Sequence, residues 1–433
     1  MCTRIAGDLQ FRAVRPPPAH LLSRISAYTL LLLLALLFLV RTVVPAASKL
    51  SHGFMAYFVA AQTIRQGEPG YRLYDDDWFA ARVMHESRGT VTDIYLANPP
   101  TLAVAWLPFA YLSVEAARRL WIVFSTLCLA ASLWLILLEF GSQREPWAWV
   151  AISALFTLPV PAREQFGLGQ MYACLLLFHV IGWRAYVKRQ DVQAGIALGL
   201  AMVLKVSGWP ICLLMLAQRR WIALRSVIAT GLAGALLSLP WVGLATWQKF
   251  LFEEIPGTLR RGAATLTAYQ DTTGFWQHMF RHVPSLNPTP VFDAPLLATL
   301  LTAATTLVAC VALTTRLRSI SWRFVAAVTL SELLSPAAEQ YHYIILLFPL
   351  AVLWHEAYLS RHRVLGFCAL AATLLIGLPI DYKSAHPVWF LIYNYPRLFG
   401  GWIVFTALLL ADRSTHSARK VIQPASIMPV SRS

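Results

Sequence analysis

Hydrophobic positions in this chain do not alternate with polar ones. They gather into long runs, among them Tyr28–Ala47, Leu120–Leu138, Trp221–Gly243, Ala294–Thr315, Tyr341–Tyr358 and Leu365–Ile380. A bilayer core of about 30 Å takes a helix of about 20 residues. Backbone groups in lipid have to hydrogen-bond internally. The runs therefore predict membrane-spanning helices, and the missing in–out alternation argues against a barrel wall. Three segments read less simply. Pro99–Leu112 is apolar but short and holds three prolines. Gln193–Ala217 has Lys205 near its centre, followed by Gly208 and Pro210, and reads either as one strained span or as two half-helices that dip in and return. Trp147–Pro161 poses the same choice. The expectation is an all-α polytopic membrane protein of about ten to twelve spans, without a visible internal repeat.

Between the runs lie two long polar stretches, about 48–97 and 244–293. They hold 6 and 4 of the 21 acidic residues. Arg4, Arg12, Arg15 and Arg24 precede the first run, and Arg413, Arg419, Lys420 and Arg432 follow the last. Lys188 with Arg189, Arg219 with Arg220, Arg316 with Arg318 and Arg323, and Arg361 with Arg363 mark further basic connections. The positive-inside rule then puts both tails, 1–27 and 412–433, in the cytoplasm. The membrane domain runs over 28–411, with outside loops at about 48–97, 244–293 and 381–396, the last rich in aromatics.

Composition narrows the function. The chain of 433 residues is 58% hydrophobic and 13% charged, against roughly 25% charged in soluble domains. Its net charge of +15 is spread between apolar runs, which excludes a nucleic-acid face. Cys128, Cys174, Cys212, Cys310 and Cys368 lie inside apolar segments and Cys2 is terminal; no CxxC pair, disulfide framework or zinc spacing is present. The first apolar run is long, and Lys49 follows where small cleavage-site residues would be needed, so it is expected to stay as a span. Neither a P-loop nor a dinucleotide fingerprint occurs, so no cofactor is called for.

The first polar stretch has local structure. Phe54, Tyr57, Phe58, Ala61 and Ile64 follow helical spacing, which predicts an amphipathic helix lying along the interface with its apolar face in lipid. Gly67, Pro69 and Gly70 break it. Asp75-Asp76-Asp77 precede a second short amphipathic stretch, Trp78–Met84, and one of them is expected to cap it. Thr92-Asp93-Ile94-Tyr95 and Asn98-Pro99-Pro100 lead back to the membrane.

Four ordered segments resemble the C-type (GT-C) glycosyltransferases, and within them family 87, the polyprenol-phosphate-mannose-dependent mannosyltransferase type. They are Gly53-Phe54-x-x-Tyr57-x-x-Ala60 with Tyr74-Asp75; Asn98-Pro99-Pro100 with Leu107-Pro108 and Trp121; Gly169-Gln170 with Gly195-x-x-Leu198-Gly199, Lys205 and Arg219-Arg220-Trp221; and Leu334-Ser335-Pro336 with Tyr341-His342-Tyr343 and Phe348-Pro349. Together they cover roughly residues 30 to 355. Two departures stand out. The family usually has an aspartate just before the phenylalanine of the first motif, where this chain has Gly53. Its Gly-Gln motif usually runs on to an asparagine, where this chain has Met171 and Tyr172.

The resemblance implies sugar transfer, mannose being the family's sugar, from a polyprenyl-phosphate donor to a lipid, glycan or protein acceptor on the outer face of the membrane. Such transfer needs a carboxylate to take the acceptor's proton and a cation for the leaving phosphate. Candidate bases are Asp93, Asp76, Asp75 and their neighbour Asp77, with His52 beside them. Lys205 is the candidate phosphate ligand, because an intramembrane charge is costly unless it has a task. Arg163, Glu164, Gln165 and Gln170 form a polar cluster between apolar runs, and His342, Tyr57 and Asn98 complete the candidate binding set. Arg260, Arg261, Gln270 and Asp271 either contact an acceptor or belong to a solvated loop. The alternative reading is a transporter or flippase of lipid-linked sugars; a polymerase or ligase of lipid-linked glycans is a third.

Overall fold

The computed structural model describes residues 21–96, 98–142, 144–260, 265–317, 319–380 and 391–421. Residues 1–20, 381–390 and 422–433, with Arg261 and Arg318, are outside the described residues, and so is most of the expected aromatic outside segment. Among the described residues the secondary structure is helical, with one isolated bridge between Val283 and Asn287.

Five helices are long and apolar enough to cross a bilayer: Leu22–Ser48, Val114–Glu139, Trp221–Val242, Pro295–Thr315 and Gln340–Ser360. Each covers one of the apolar runs. Shorter apolar helices fill the rest: Pro146–Thr157, Tyr172–Val187, Asp191–Leu204, Arg363–Gly377 and Pro396–Ala411. Burial sorts them. Only 17% of the apolar window is buried in the 221–242 and 295–315 helices, against 61% in the 340–360 helix. The first two therefore line the rim, where leucines such as Leu237 and Leu296 face outward, and the third lies in the interior. Ile320–Leu333, which is not among the apolar runs read from the sequence, is buried along nearly its whole length.

The helix ends fall on two faces. On one, Arg184 and Lys188 donate to Glu139 at 2.6 and 2.7 Å, Arg220 Nε donates to Asp191 at 2.7 Å, and Trp147 Nε1 donates to Ser23 at 2.9 Å. The other carries the two polar stretches and is here called the loop face. There Ser51 Oγ donates to the Leu168 carbonyl at 3.0 Å, and Arg88 lies 3.7 Å from Glu115.

The doubtful segment 193–217 is a hairpin of two helices, Asp191–Leu204 and Trp209–Ala217. Lys205 ends the first helix in extended conformation, and Gly208 turns the chain at φ +91. Pro100–Ala105 and Leu107–Ala110 are likewise too short to span. They cover the Phe54–Arg65 helix, which corrects one expectation. Residues 54–64 are buried on every side, Gln62 and Thr63 included, so no face of this helix is left for lipid. The helical period in the sequence was real; what covers the helix comes from the proline-rich segment downstream.

Small residues let the hairpin approach the rim closely. A Cβ on Gly195 would lie 2.4 Å from the Ala223 carbonyl oxygen, and one on Gly199 would lie 2.5 Å from Thr230 Cβ. Gly199→Leu is therefore expected to lower the thermal midpoint in detergent, at a cost of about 1–3 kcal/mol. Gly231→Ala, with nothing within 4 Å, should leave it unchanged or raise it. Equal midpoints for the two variants would remove the case for close helix contact here.

Candidate functional site

The loop-face site is assembled from backbone outward. Gly53 precedes the 54–65 helix at φ +75 and ψ −61, a sparsely populated conformation that costs an L side chain about 1–3 kcal/mol. Its N–H donates to Asp93 Oδ2 at 2.5 Å, and the Ile94 N–H donates to Oδ1 at 2.9 Å. The partly buried carboxylate is thus fixed by two backbone donors. Burial holds its pKa above the ordinary aspartate value of 3.8, while the Gly53 N–H, the nearby His52, the Ile94 N–H and Lys205 pull it down. The His52 side chain is exposed.

Lys205 reaches the same place from the apex of the hairpin. Nζ donates to Asn98 Oδ1 at 2.6 Å and lies 5.5 Å from the Tyr57 ring centre and 5.8 Å from that of Tyr172. Asp93 and Glu339 are its charged neighbours. Asn98 is buried and is held by its own loop, its carbonyl accepting from Tyr74 Oη at 2.7 Å. Tyr57 Oη donates to Gln170 Oε1, and Gln165 Nε2 donates to the Gln170 carbonyl. Gln165 Oε1 also accepts from the Tyr172 N–H at 3.2 Å, so it fixes the turn that presents Gln170 and Tyr172.

The fourth segment closes the far side. His342 and Tyr172 rings lie 4.1 Å apart, and Tyr172 and Tyr341 rings 5.4 Å apart. Glu339 and His342 form a reciprocal cap in which His342 Nδ1 accepts from the Glu339 N–H at 2.8 Å. Because a backbone N–H occupies Nδ1, the neutral ring carries its proton on Nε2.

Asp93, His52, Lys205, Gln170, His342, Tyr57 and Asn98 therefore converge from four stretches of chain. The other candidates lie apart from this group. Asp75 is exposed and accepts from the Trp78 N–H at 3.2 Å, capping the Asp76–Glu86 helix, whose first turn exposes Asp76 and Asp77. Arg163 points to the exterior from the Val160–Leu168 helix, and Glu164 is partly buried on it. In the second polar stretch, Gln270 and Asp271 are neither solvated nor open to an acceptor: both are buried. The Arg260 side chain is outside the described residues.

Two residues with a part here were not picked out from sequence. Glu339 stood just ahead of the Tyr-His-Tyr motif. Arg118 stands two residues before the apolar run that begins at Leu120, and it is 1% exposed. Its Nε donates to the Ala46 carbonyl at 2.7 Å, and Nη2 donates to the Phe166 and Gly167 carbonyls at 3.1 and 2.8 Å. The signal was available: Arg118 lies three and four positions before buried Trp121 and Ile122, on the same helix face.

Gly53→Ala tests the arrangement around Gln170. A Cβ there would lie 2.3 Å from Gln170 Nε2, whereas Gly67, also at φ +75, has nothing within 4 Å. Both alanine variants bear a positive-φ cost of about 1–3 kcal/mol. Gly53→Ala is expected to lower the thermal midpoint further than Gly67→Ala. Matching midpoints would mean that the Gly53–Gln170 contact constrains nothing.

The sequence model of Glycosyltransferase family 87 matches residues 95–336. A polyprenol-phosphate-mannose-dependent alpha-(1-2)-phosphatidylinositol mannoside mannosyltransferase of Mycolicibacterium smegmatis (strain ATCC 700084 / mc(2)155) is 27% identical over 229 residues, 47% of this chain and 50% of that protein. The chain thus matches about half the length of this relative. No solved structure matches. Since the family model covers more than half of the 433 residues, the chain belongs to glycosyltransferase family 87.

Proposed function

We propose that the protein transfers a sugar from a polyprenyl-phosphate donor to an acceptor hydroxyl at the outer membrane surface, with Asp93 as base and Lys205 as phosphate ligand. One observation carries the reading. A carboxylate and an ammonium group, drawn from segments 112 residues apart (205 less 93), flank one aromatic-walled place on the loop face. In the step proposed, the acceptor oxygen attacks the anomeric carbon and its proton passes to Asp93. The bond between that carbon and the phosphate oxygen breaks, and the electron pair stays on the polyprenyl phosphate. Lys205 stabilises the charge so formed. The His342 Nε2–H is a neutral donor suited to a phosphate or sugar oxygen. Gln170, Tyr57 and Asn98 keep these groups in place.

Mannose as the sugar and a glycolipid as the acceptor are suggested by the name of the Mycolicibacterium relative. The basic connections support cytoplasmic tails and a loop face on the outside.

The purified protein incubated with polyprenyl-phosphate mannose and a membrane lipid extract is expected to yield a mannosylated product. Asp93→Asn should slow transfer by about a hundredfold or more, and Lys205→Ala by a similar factor. Undiminished transfer in both variants refutes the site. Donor carried across a vesicle membrane without any transfer would favour the flippase reading.

The pH dependence has a definite sign. Asp93 acts only when ionised, and burial raises its pKa. Activity should therefore fall as pH drops through a midpoint above 3.8, the ordinary aspartate value. Lys205 lowers that pKa, so residual activity of Lys205→Ala should show an acid limb displaced to higher pH. A limb at the same pH in both proteins would assign it to another group.

A further inference from the structure

The buried pair Gln270–Asp271 belongs to neither the membrane core nor the site, yet it grips the chain that leads into the site. Gln270 N–H donates to the Ala338 carbonyl at 2.7 Å, and Ala338 N–H donates to Asp271 Oδ2 at 3.1 Å. The Gly274 N–H donates to Asp271 Oδ1 at 2.8 Å, and the Thr273 and Ala337 N–H groups also face this carboxylate. Gln270 is anchored in turn. Its Nε2 donates to the Asn394 carbonyl at 2.7 Å, its Oε1 accepts from the Arg397 N–H at 3.1 Å, and its carbonyl accepts from Tyr343 Oη. Arg397 Nη2 donates to Gln340 Oε1 at 2.7 Å.

What is gripped is strained. Ala337 sits at φ +63, where an L-residue pays about 1–2 kcal/mol. Such a conformation persists when its surroundings over-determine it. Two residues later Glu339 opens the turn Gln340–Ile344, and Glu339 and His342 are the groups that face Lys205 and Tyr172. Release of Ala337 to negative φ would rotate the following peptide and carry Glu339 and His342 away from Lys205.

We propose that Asp271 is a positioning residue: by holding Ala337 and Ala338 it places Glu339 and His342 against Lys205, so that the second polar stretch sets the geometry of the phosphate end of the site. The proposal rests on the functional reading above for what that site binds. The mechanical part stands on the hydrogen bonds alone. Asp271 touches no reacting atom, and its effect passes through the Ala337–Glu339 backbone.

The test pairs Asp271→Asn with Ala337→Gly. A glycine adopts φ +63 without strain, so the turn should no longer need the carboxylate. Asp271→Asn is expected to raise amide exchange at 337–343, to raise the Kd for sugar-free polyprenyl phosphate about tenfold, and to lower transfer by about tenfold or more. In the Ala337→Gly background the same Asp271→Asn change should have a much smaller effect on all three. Asp271→Asn with unchanged exchange overturns the grip. Raised exchange with unchanged Kd and transfer overturns the positioning role. An equal effect in both backgrounds, or a loss of fold that Ala337→Gly does not relieve, makes Asp271 a general structural residue and overturns it too. Should the wild-type protein transfer no sugar at all, the functional reading fails, while exchange and phosphate binding still decide the proposal.

Discussion

A half-buried ammonium group held among aromatic rings has to be compensated locally, and Lys205 is the point at which this protein meets that demand. Desolvating a charge costs several kcal/mol unless hydrogen bonds and opposite charges repay it. Lys205 finds the Asn98 oxygen at 2.6 Å, the faces of Tyr57 and Tyr172, and the carboxylates of Asp93 and Glu339 nearby. Those partners come from the first polar stretch, the Gly-Gln turn and the segment after residue 335. A single charge thus ties together parts of the chain that have no local reason to meet. The hairpin of 14 and 9 residues exists in a form that brings this lysine to the loop face, and Gly195 and Gly199 let its first arm lie close against the rim.

Arg118 shows the contrasting solution for a buried cation. Three backbone carbonyls from two separate segments accept its protons, and a Cβ on Gly169 would lie 1.8 Å from Nη1. It clamps the end of the first long helix to the turn that presents Gln170. Permanent carbonyl partners make a structural cation. Lys205, with one hydrogen bond to a side-chain oxygen among the described residues, keeps donors for an incoming anion.

The spans were legible because a bilayer imposes a length and an unbroken apolar character that few other constraints imitate. Residues 54–65 show where that legibility stops. Periodicity reports that a face is apolar; it does not report whether lipid or protein covers it, and here the short helices 100–105 and 107–110 do. The aspartates divide for a similar reason. Asp75 caps the helix that follows it, a contact within three residues that sequence can show. Asp93 depends on a backbone donor forty residues away, and Asp271 on one sixty-seven residues away. Neither burial could be read from neighbours in the chain.

Gly53 raises the question whether a residue missing from a motif is also missing from the site. At φ +75, with Gln170 Nε2 only 2.3 Å from where a Cβ would stand, this position has no room for a side chain while Gln170 is bonded to Tyr57. What it offers instead is a bare N–H, and the Asp93 carboxylate docks on it. An aspartate at 53 beside Asp93 on the amide of 53 would place two carboxylates close together and raise the pKa of one of them, and its Cβ would meet Gln170. The glycine, the Gln170–Tyr57 bond and Asp93 are therefore one solution. With glycine at the helix start, the carboxylate at this place comes from the loop, where the Gly53 and Ile94 N–H groups hold Asp93.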